Sequence, residues 1–473
     1  MYSSRLTRQV VHSLALAAVI TLAAPGARAN LIDDIPAGTG YAALEICTRT
    51  MQSQDHYWRV RELYAAPKVL PLPAIWMVDY LPGIKVNVRT WVPLLSNQRT
   101  AIFRKGLGCT VTPPGTREAD VRAQPFRAVM PPPVSMRPWP LGEGPVDSSG
   151  LSTSQQALLK SHGDQIFSES TAQLNKKKNT IAFLVAHQGR LIHERYAKDY
   201  QRDQPQLGWS MTKSLTAMVA GAMVTDGLLS IDAPVGLPQW TGSPKAAITW
   251  RQLLTMSPGL AWKEDYTGSN DTTEMLFSQA DEGSWAADRP LTSPPGTVFN
   301  YSTGSPTIAM LRMKQLLGGS HQALYDYYQR RLLTPLGIRH GVIEPDATGT
   351  PIGGARGVLR PVDWLRLGQL IAQGGQWQGQ TLINEEAMKF LVGPSSANAG
   401  YGGYIWRQAS DEVPSDLAAR LPTDTVFFLG HMGQLTVIVP SKQLVVVRMG
   451  ASFDKETVKR DVMGTVADLV EQL

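Results

Sequence analysis

Cysteine is almost absent: the 473 residues contain two, Cys47 and Cys109. No Cys/His cluster has metal-ligand spacing. None of the eight histidines falls in H-E-x-x-H or in an H-x-H pair, so neither a metal nor a cofactor is expected. Long apolar runs are also missing. Beyond the first 29 residues no stretch approaches the roughly 18 apolar residues of a membrane helix. Charge of one sign is not in excess, which gives no footprint for nucleic acid. The basic run Lys176-Lys177-Lys178 reads as a solvated helix end. There is no internal repeat and no low-complexity tract.

The first 29 residues read as a leader. Arg5 and Arg8 form a basic start, Leu14 to Ala24 is a short apolar run, and Ala27-Arg28-Ala29 is an A-x-A cleavage site. No twin-arginine pair or lipobox cysteine accompanies it. The expectation is a mature chain starting near Asn30, periplasmic or secreted. Removing the leader lowers the formal charge from +6 to +3, with 42 basic against 39 acidic residues. In an oxidising compartment Cys47 and Cys109 are expected to pair; two buried free thiols are the alternative.

Pro113, Pro114, Pro125, Pro131 to Pro133, Pro138, Pro140 and Pro145 mark residues 113–149 as an extended, semi-rigid connector. It separates an accessory segment, residues 30–112, from a larger domain, residues 150–473. That domain opens with a helix near Leu151–Leu174. A hairpin follows: Thr180 to Ala186, a turn at Gln188-Gly189, then Leu191 to Tyr196. It closes with strand runs Val426–Leu429, Leu435–Val439 and Leu444–Met449 and a helix over Glu456–Leu473. Strands at both ends with helices between predict an α/β (α+β) fold: one antiparallel sheet built from both ends of the domain, with a helical block beside it.

Ser210-Met211-Thr212-Lys213 is the most informative stretch. It sets a hydroxyl and an amine three residues apart, neighbours on a helix surface. A serine needs a base, and a desolvated lysine can serve without a histidine. About one S-x-x-K is expected by chance in such a chain, and a second exists, Ser452-Phe453-Asp454-Lys455. Leu215, Met218, Val219, Ala222 and Met223 follow Ser210 at helical period, and Gly227 supplies a stop. Ser210 therefore opens a buried helix, whereas Ser452 reads as part of a polar surface turn. The plain alternative for Ser210 is an ordinary helix cap.

Two further elements join it. Tyr301, in Tyr301-Ser302-Thr303-Gly304, could relay a proton if a nearby lysine lowers its phenol pKa. His431-Met432-Gly433-Gln434 follows Phe427 to Gly430 on a strand. There Gly433 would let substrate lie against an exposed edge, and the Gln434 N–H would pair with that of Ser210 as an oxyanion hole. The plain readings are a core tyrosine and a bulge glycine beside a surface histidine.

Serine, lysine, tyrosine and an x-x-G element, in this order, resemble the serine β-lactamase and penicillin-binding-protein superfamily, in its class C-type branch of cephalosporinases, D,D-peptidases, carboxylesterases and oligoamide hydrolases. The resemblance runs from about Thr180 to the C-terminus. It includes Ile248 to Leu260, Pro335-Leu336-Gly337-Ile338 and Asp363 to Gly368. It implies Ser210 as acylated nucleophile, Lys213 as its base or electrostatic partner, Tyr301 as proton relay, and Ser210 and Gln434 as oxyanion donors. The chain departs twice. Tyr301-Ser302-Thr303 stands where a class C enzyme has Tyr-x-Asn, so Thr303 replaces an amide-binding asparagine. His431-Met432-Gly433 stands for Lys-Thr-Gly, so a largely neutral histidine replaces the lysine that attracts a carboxylate. Arg407 or Arg448 could substitute.

The expectation is an exported serine hydrolase acting on a small-molecule or short-peptide ester or amide. The rivals are a β-lactamase or D,D-carboxypeptidase acting on cell-wall peptides, and a non-catalytic binding or scaffold protein on this fold. Oligomeric state is not readable.

Overall fold

The computed structural model describes residues 31–473, apart from 93–94, 170 and 174–175. The expected leader lies outside the described residues; the first domain helix, expected to run to Leu174, ends at Phe167, capped by Ser168.

The N-terminal segment folds on itself and against the rest. Helix α1 (Leu31–Cys47) lies across a four-stranded antiparallel sheet of β1 (Trp76–Leu81), β2 (Lys85–Thr90), β3 (Gln98–Arg104) and β4 (Gly108–Thr112), in that order. A disulfide joins Cys47 at the end of α1 to Cys109 on β4, with the Cα atoms 6.2 Å apart. Arg99 on β3 donates to the Phe277 carbonyl at 2.8 Å. The fully buried Glu344 carboxylate accepts from Cys109 N at 2.7 Å and from Thr48 Oγ1 at 2.9 Å.

The main sheet has six strands. β5 (Thr180–His187) and β6 (Arg190–Tyr196) form the predicted hairpin. A three-stranded sheet of β7 (Gln206–Leu207), β8 (Val342–Ile343) and β9 (Gly357–Leu359) and the pair β10 (Gln376–Trp377) with β11 (Gln380–Thr381) come next. The main sheet resumes with β12 (Trp406–Arg407), β13 (Val426–Gly430), β14 (Gln434–Val439) and β15 (Leu444–Gly450). Its order is β12-β13-β14-β15-β5-β6, antiparallel throughout. The two ends of the domain thus meet at β15–β5, as strands at both ends predict.

Alternation assigns the two faces. Phe183 and Val185, Val437 and Val439, and Val446 face helices α2 (Thr153–Phe167) and α6 (Lys455–Gln472), where Val458, Val462 and Val466 repeat at i, i+4, i+8. Ala182 and Leu184, Ile438, Val445 and Val447 face the opposite core. That core holds α3 (Met211–Thr225), α4 (Gly304–Leu316) and α5 (Pro361–Ala372). Each large aliphatic side chain taken out of water there contributes about 1.5–3 kcal/mol.

Residues 113–149 are irregular except for a short helix at Glu118–Ala123. Their far end is held to α5: Arg366 donates to the carbonyls of Pro140 and Gly142, and Arg360 pairs with Glu143 at 2.9 Å. The lysine run is not a solvated helix end. Lys178 is buried against Asp461 at 3.0 Å, because the chain turns inward there to enter β5. No helix among the described residues is long and apolar enough to cross a membrane.

Candidate active site

Ser210 stands at the N-cap of α3, yet its side chain accepts no capping hydrogen bond. Instead Lys213 Nζ donates to Ser210 Oγ at 2.9 Å. The segment is strained into place. Trp209 adopts φ 48°, a left-handed value unfavourable to a bulky side chain. Its ring stacks on Tyr41 of α1 at 5.8 Å and meets His431 edge-on at 5.4 Å. Thr212 Oγ1 closes the turn on the Trp209 carbonyl and accepts from Gly357 N at 2.7 Å, which ties the first turn of α3 to β9.

The three donors of the Lys213 ammonium are all used: Ser210 Oγ, Thr303 Oγ1 at 2.9 Å and the Gly354 carbonyl at 2.8 Å. None of these acceptors is charged. The nearest carboxylate, Glu264, lies 4.0 Å away. Two effects compete: burial lowers the lysine pKa and Glu264 raises it. Burial wins and leaves the amine at about 8. An amine there is part neutral at physiological pH, as a base for Ser210 must be.

Glu264 was not singled out in the sequence, and it organises the site. One oxygen accepts from Thr303 Oγ1 at 2.5 Å and Tyr266 Oη at 2.7 Å. The other accepts from Thr303 N at 2.8 Å, Trp262 Nε1 at 2.7 Å and Thr272 Oγ1 at 2.9 Å. Thr303 therefore links lysine to carboxylate through one hydroxyl, accepting from the first and donating to the second.

Tyr301 and Tyr266 line the same cavity as Ser210. The expected lowering of the Tyr301 pKa does not occur. Burial, then Glu264, push it up. Lys213 sits over the ring face, 4.8 Å from its centroid, and gives the phenolate no charged partner at the oxygen. Tyr301 is thus a neutral phenol.

His431 to Gly433 form a tight turn between β13 and β14, not a strand. β14 is interior to the sheet, so Gly433 borders no open edge. Its φ of +77° demands glycine, and a Cβ there would stand 3.0 Å from the Arg448 guanidinium. Gln434 is buried behind the turn, its side chain paired with the backbone of Gly450 at 2.6 and 3.0 Å. His431 does face the site, held at about 3 by burial, then by the charges of Lys68, Lys455 and Arg49, and so is neutral.

Neither arginine lines a cavity beside Ser210. Arg407 donates to the carbonyls of Val392 and Ala399. Arg448 is fully buried, donates to Gly433 O, Lys178 O and Thr180 Oγ1, and is lowered to about 9 by burial. Ser452 is not a surface residue either: it is buried, and its hydroxyl donates to Lys178 O.

Ser210 lies where two cavities meet. One, of about 300 Å³, is walled by α1 and residues 68–75 on one side and by Trp209, Thr303 and His431 on the other. The second, also about 300 Å³, is lined by Tyr301, Trp406, Gly430, His431, Lys455 and Lys459. Gln434 lines neither.

Residues 164–462 match the family model described as Beta-lactamase. A 6-aminohexanoate-dimer hydrolase of Paenarthrobacter ureafaciens is 23% identical over 236 residues, 46% of this chain and 59% of the relative, so the chain spans less than two thirds of that protein. Among solved structures, the hydrolase EstCE1, described as having promiscuous acyltransferase activity, superposes with a TM-score of 0.53 at 18% identity, over 67% of this chain and 100% of that one. A penicillin-binding protein homologue from Caulobacter crescentus gives 0.51 at 16% identity, over 67% and 99%. At such identities these two likenesses speak for the fold alone.

Proposed function

Because the chain belongs to the Beta-lactamase family, we propose that it is a serine hydrolase that cleaves an ester or amide through an acyl-enzyme on Ser210. The observation that carries this is the Lys213 ammonium: fully buried, bonded to Ser210 Oγ, with a pKa near 8. A binding module has no use for a desolvated amine against a free hydroxyl.

In this reading neutral Lys213 takes the Ser210 proton as Oγ attacks the carbonyl carbon. The tetrahedral oxyanion is met by the Ser210 N–H at the start of α3 and by the backbone of the Gly430–His431 turn, since Gln434 lines neither cavity. The C–O or C–N bond breaks as the Tyr301 phenol gives its proton to the leaving atom. Water then releases the acyl group by the reverse sequence. Tyr301 lines only the second of the two cavities, which favours a leaving group there and an acyl group in the first.

The ester or linear-amide reading is favoured over the β-lactam one. The Thr303 hydroxyl is committed to Lys213 and Glu264, and neutral His431 offers no cation to a lactam carboxylate. The 6-aminohexanoate-dimer hydrolase among the relatives agrees with this choice. The Cys47–Cys109 bridge supports action in an oxidising compartment, periplasmic or extracellular. The test is parallel assay against short-chain p-nitrophenyl esters, a linear oligoamide and a chromogenic cephalosporin. Esters or the oligoamide should turn over at least ten times faster than the cephalosporin. Equal or faster cephalosporin turnover would give the site to the lactamase alternative.

A further inference from the structure

The N-terminal segment lies outside the family match, yet it supplies half of the first cavity. Ile35 and Tyr41 of α1 and Leu72 and Ile75 after it present an apolar wall to Trp209 and Ser210. α1 is anchored where it meets the body: Tyr41 Oη donates to Met432 Sδ at 3.7 Å, and the bridge fixes the end of the helix to β4. In that wall stands one cation, Lys68. Its ammonium lies 4.5 Å from the centroid of the Phe453 ring, and among the described residues no carboxylate is within ion-pairing distance of it. The carboxylate that lines the same cavity, Asp34, is taken by the backbone N–H of Ser269 at 2.7 Å. The cavity wall is therefore mainly apolar, with one cation, Lys68, and one carboxylate, Asp34, which is held by the Ser269 backbone.

We infer that the N-terminal segment is the acyl-binding wall of the enzyme, and that Lys68 selects acyl groups carrying a second, free carboxylate at the end of an apolar chain. This rests on the acyl-enzyme reading above. An aliphatic chain covers the apolar wall, and its far carboxylate meets the ammonium. Partial burial already weakens the hydration of Lys68, so a carboxylate partner replaces water that is partly lost. A charge-assisted hydrogen bond of this kind corresponds to about 10- to 100-fold in kcat/KM. At about 300 Å³ the cavity is at the small end for ligand sites, suited to a chain of modest length.

The experiment compares p-nitrophenyl acetate, p-nitrophenyl hexanoate and mono-p-nitrophenyl adipate on the full-length protein and on Ser210→Ala, Lys68→Met, Lys68→Arg and Val69→Trp. The wild type is expected to prefer adipate to hexanoate by about 10- to 100-fold. That ratio should fall to near one in Lys68→Met and be largely kept in Lys68→Arg. Val69→Trp, which fills the cavity from the same segment, should lower hexanoate relative to acetate about ten-fold or more. Ratios within one variant do not depend on how much of it folds. A wild-type adipate-to-hexanoate ratio of one or less, or a ratio unchanged in Lys68→Met, overturns the role of Lys68. An unchanged hexanoate-to-acetate ratio in Val69→Trp overturns the wall. In both cases Ser210-dependent acetate turnover persists and the hydrolase reading stands. Absence of any Ser210-dependent turnover overturns that reading and this inference together.

Discussion

Ser210–Lys213 and Ser452–Lys455 carry the same spacing, and both serines are buried. The lysines separate them. Lys213 is enclosed, with Ser210 Oγ, a threonine hydroxyl and a carbonyl as its partners. The Lys455 side chain is 67% exposed and lies 3.8 Å from Glu456, in water beside a carboxylate. The serine hydroxyls differ as well: that of Ser210 receives the amine, whereas that of Ser452 is spent on Lys178 O. Spacing alone does not make a nucleophile; a desolvated amine against an uncommitted hydroxyl does.

The widest gap between the two motifs is expected in covalent chemistry. Ser210→Ala should lose fluorophosphonate labelling by intact mass and at least about three orders of magnitude in turnover, while Ser452→Ala keeps both. Labelling that survives Ser210→Ala would erase the distinction.

A smaller effect lies in the lysines and their pH dependence. Lys213→Ala should cost about 10²–10⁴ in kcat/KM, the range of a general base, and Lys455→Ala under about ten-fold. Lys213 acts when deprotonated, so wild-type kcat/KM should climb with pH and reach half its plateau near 8. Glu264 raises the lysine pKa, so Glu264→Gln should move that midpoint to lower pH. An unmoved or higher midpoint would show that Lys213 is not the titrating group. Because the two groups share Thr303, the profile belongs to the cluster.

The smallest expected effect is structural. Ser452→Ala removes one buried hydrogen bond to Lys178 O, which keeps the Arg448 guanidinium as a donor. A loss of about 0.5–1.5 kcal/mol is expected, read as a lower urea midpoint at constant slope. A change in kcat/KM beyond a few-fold would give Ser452 a part in the chemistry.

The sheet was legible because β5, β14 and β15 alternate between two apolar faces and the final helix repeats at i, i+4. The pairing of Ser210 with Lys213 was legible because it is local. Glu264 and Tyr266 were not, since they sit in a loop without periodicity and reach Ser210 only through tertiary packing. The His431–Gly433 turn looked like strand because it is flanked by strand on both sides; the positive φ of Met432 and Gly433 breaks it. The direction of the Tyr301 shift needed the depth of burial and the position of Glu264, neither of which a sequence displays. Ser452 looked exposed because its neighbours are polar, yet its N–H bonds Met432 O and draws it inward.

The division of the first cavity between two stretches of chain has an evolutionary consequence. The residues proposed to break the bond lie between Ser210 and His431, whereas one wall of the first cavity, the proposed acyl site, is encoded before Trp76. Point changes in that early stretch can retune which acyl chains are accepted while the proton-transfer apparatus stays untouched. Substrate range and chemistry are then free to drift at different rates within one lineage, and the early stretch is the place to begin when recruiting this scaffold for a new ester.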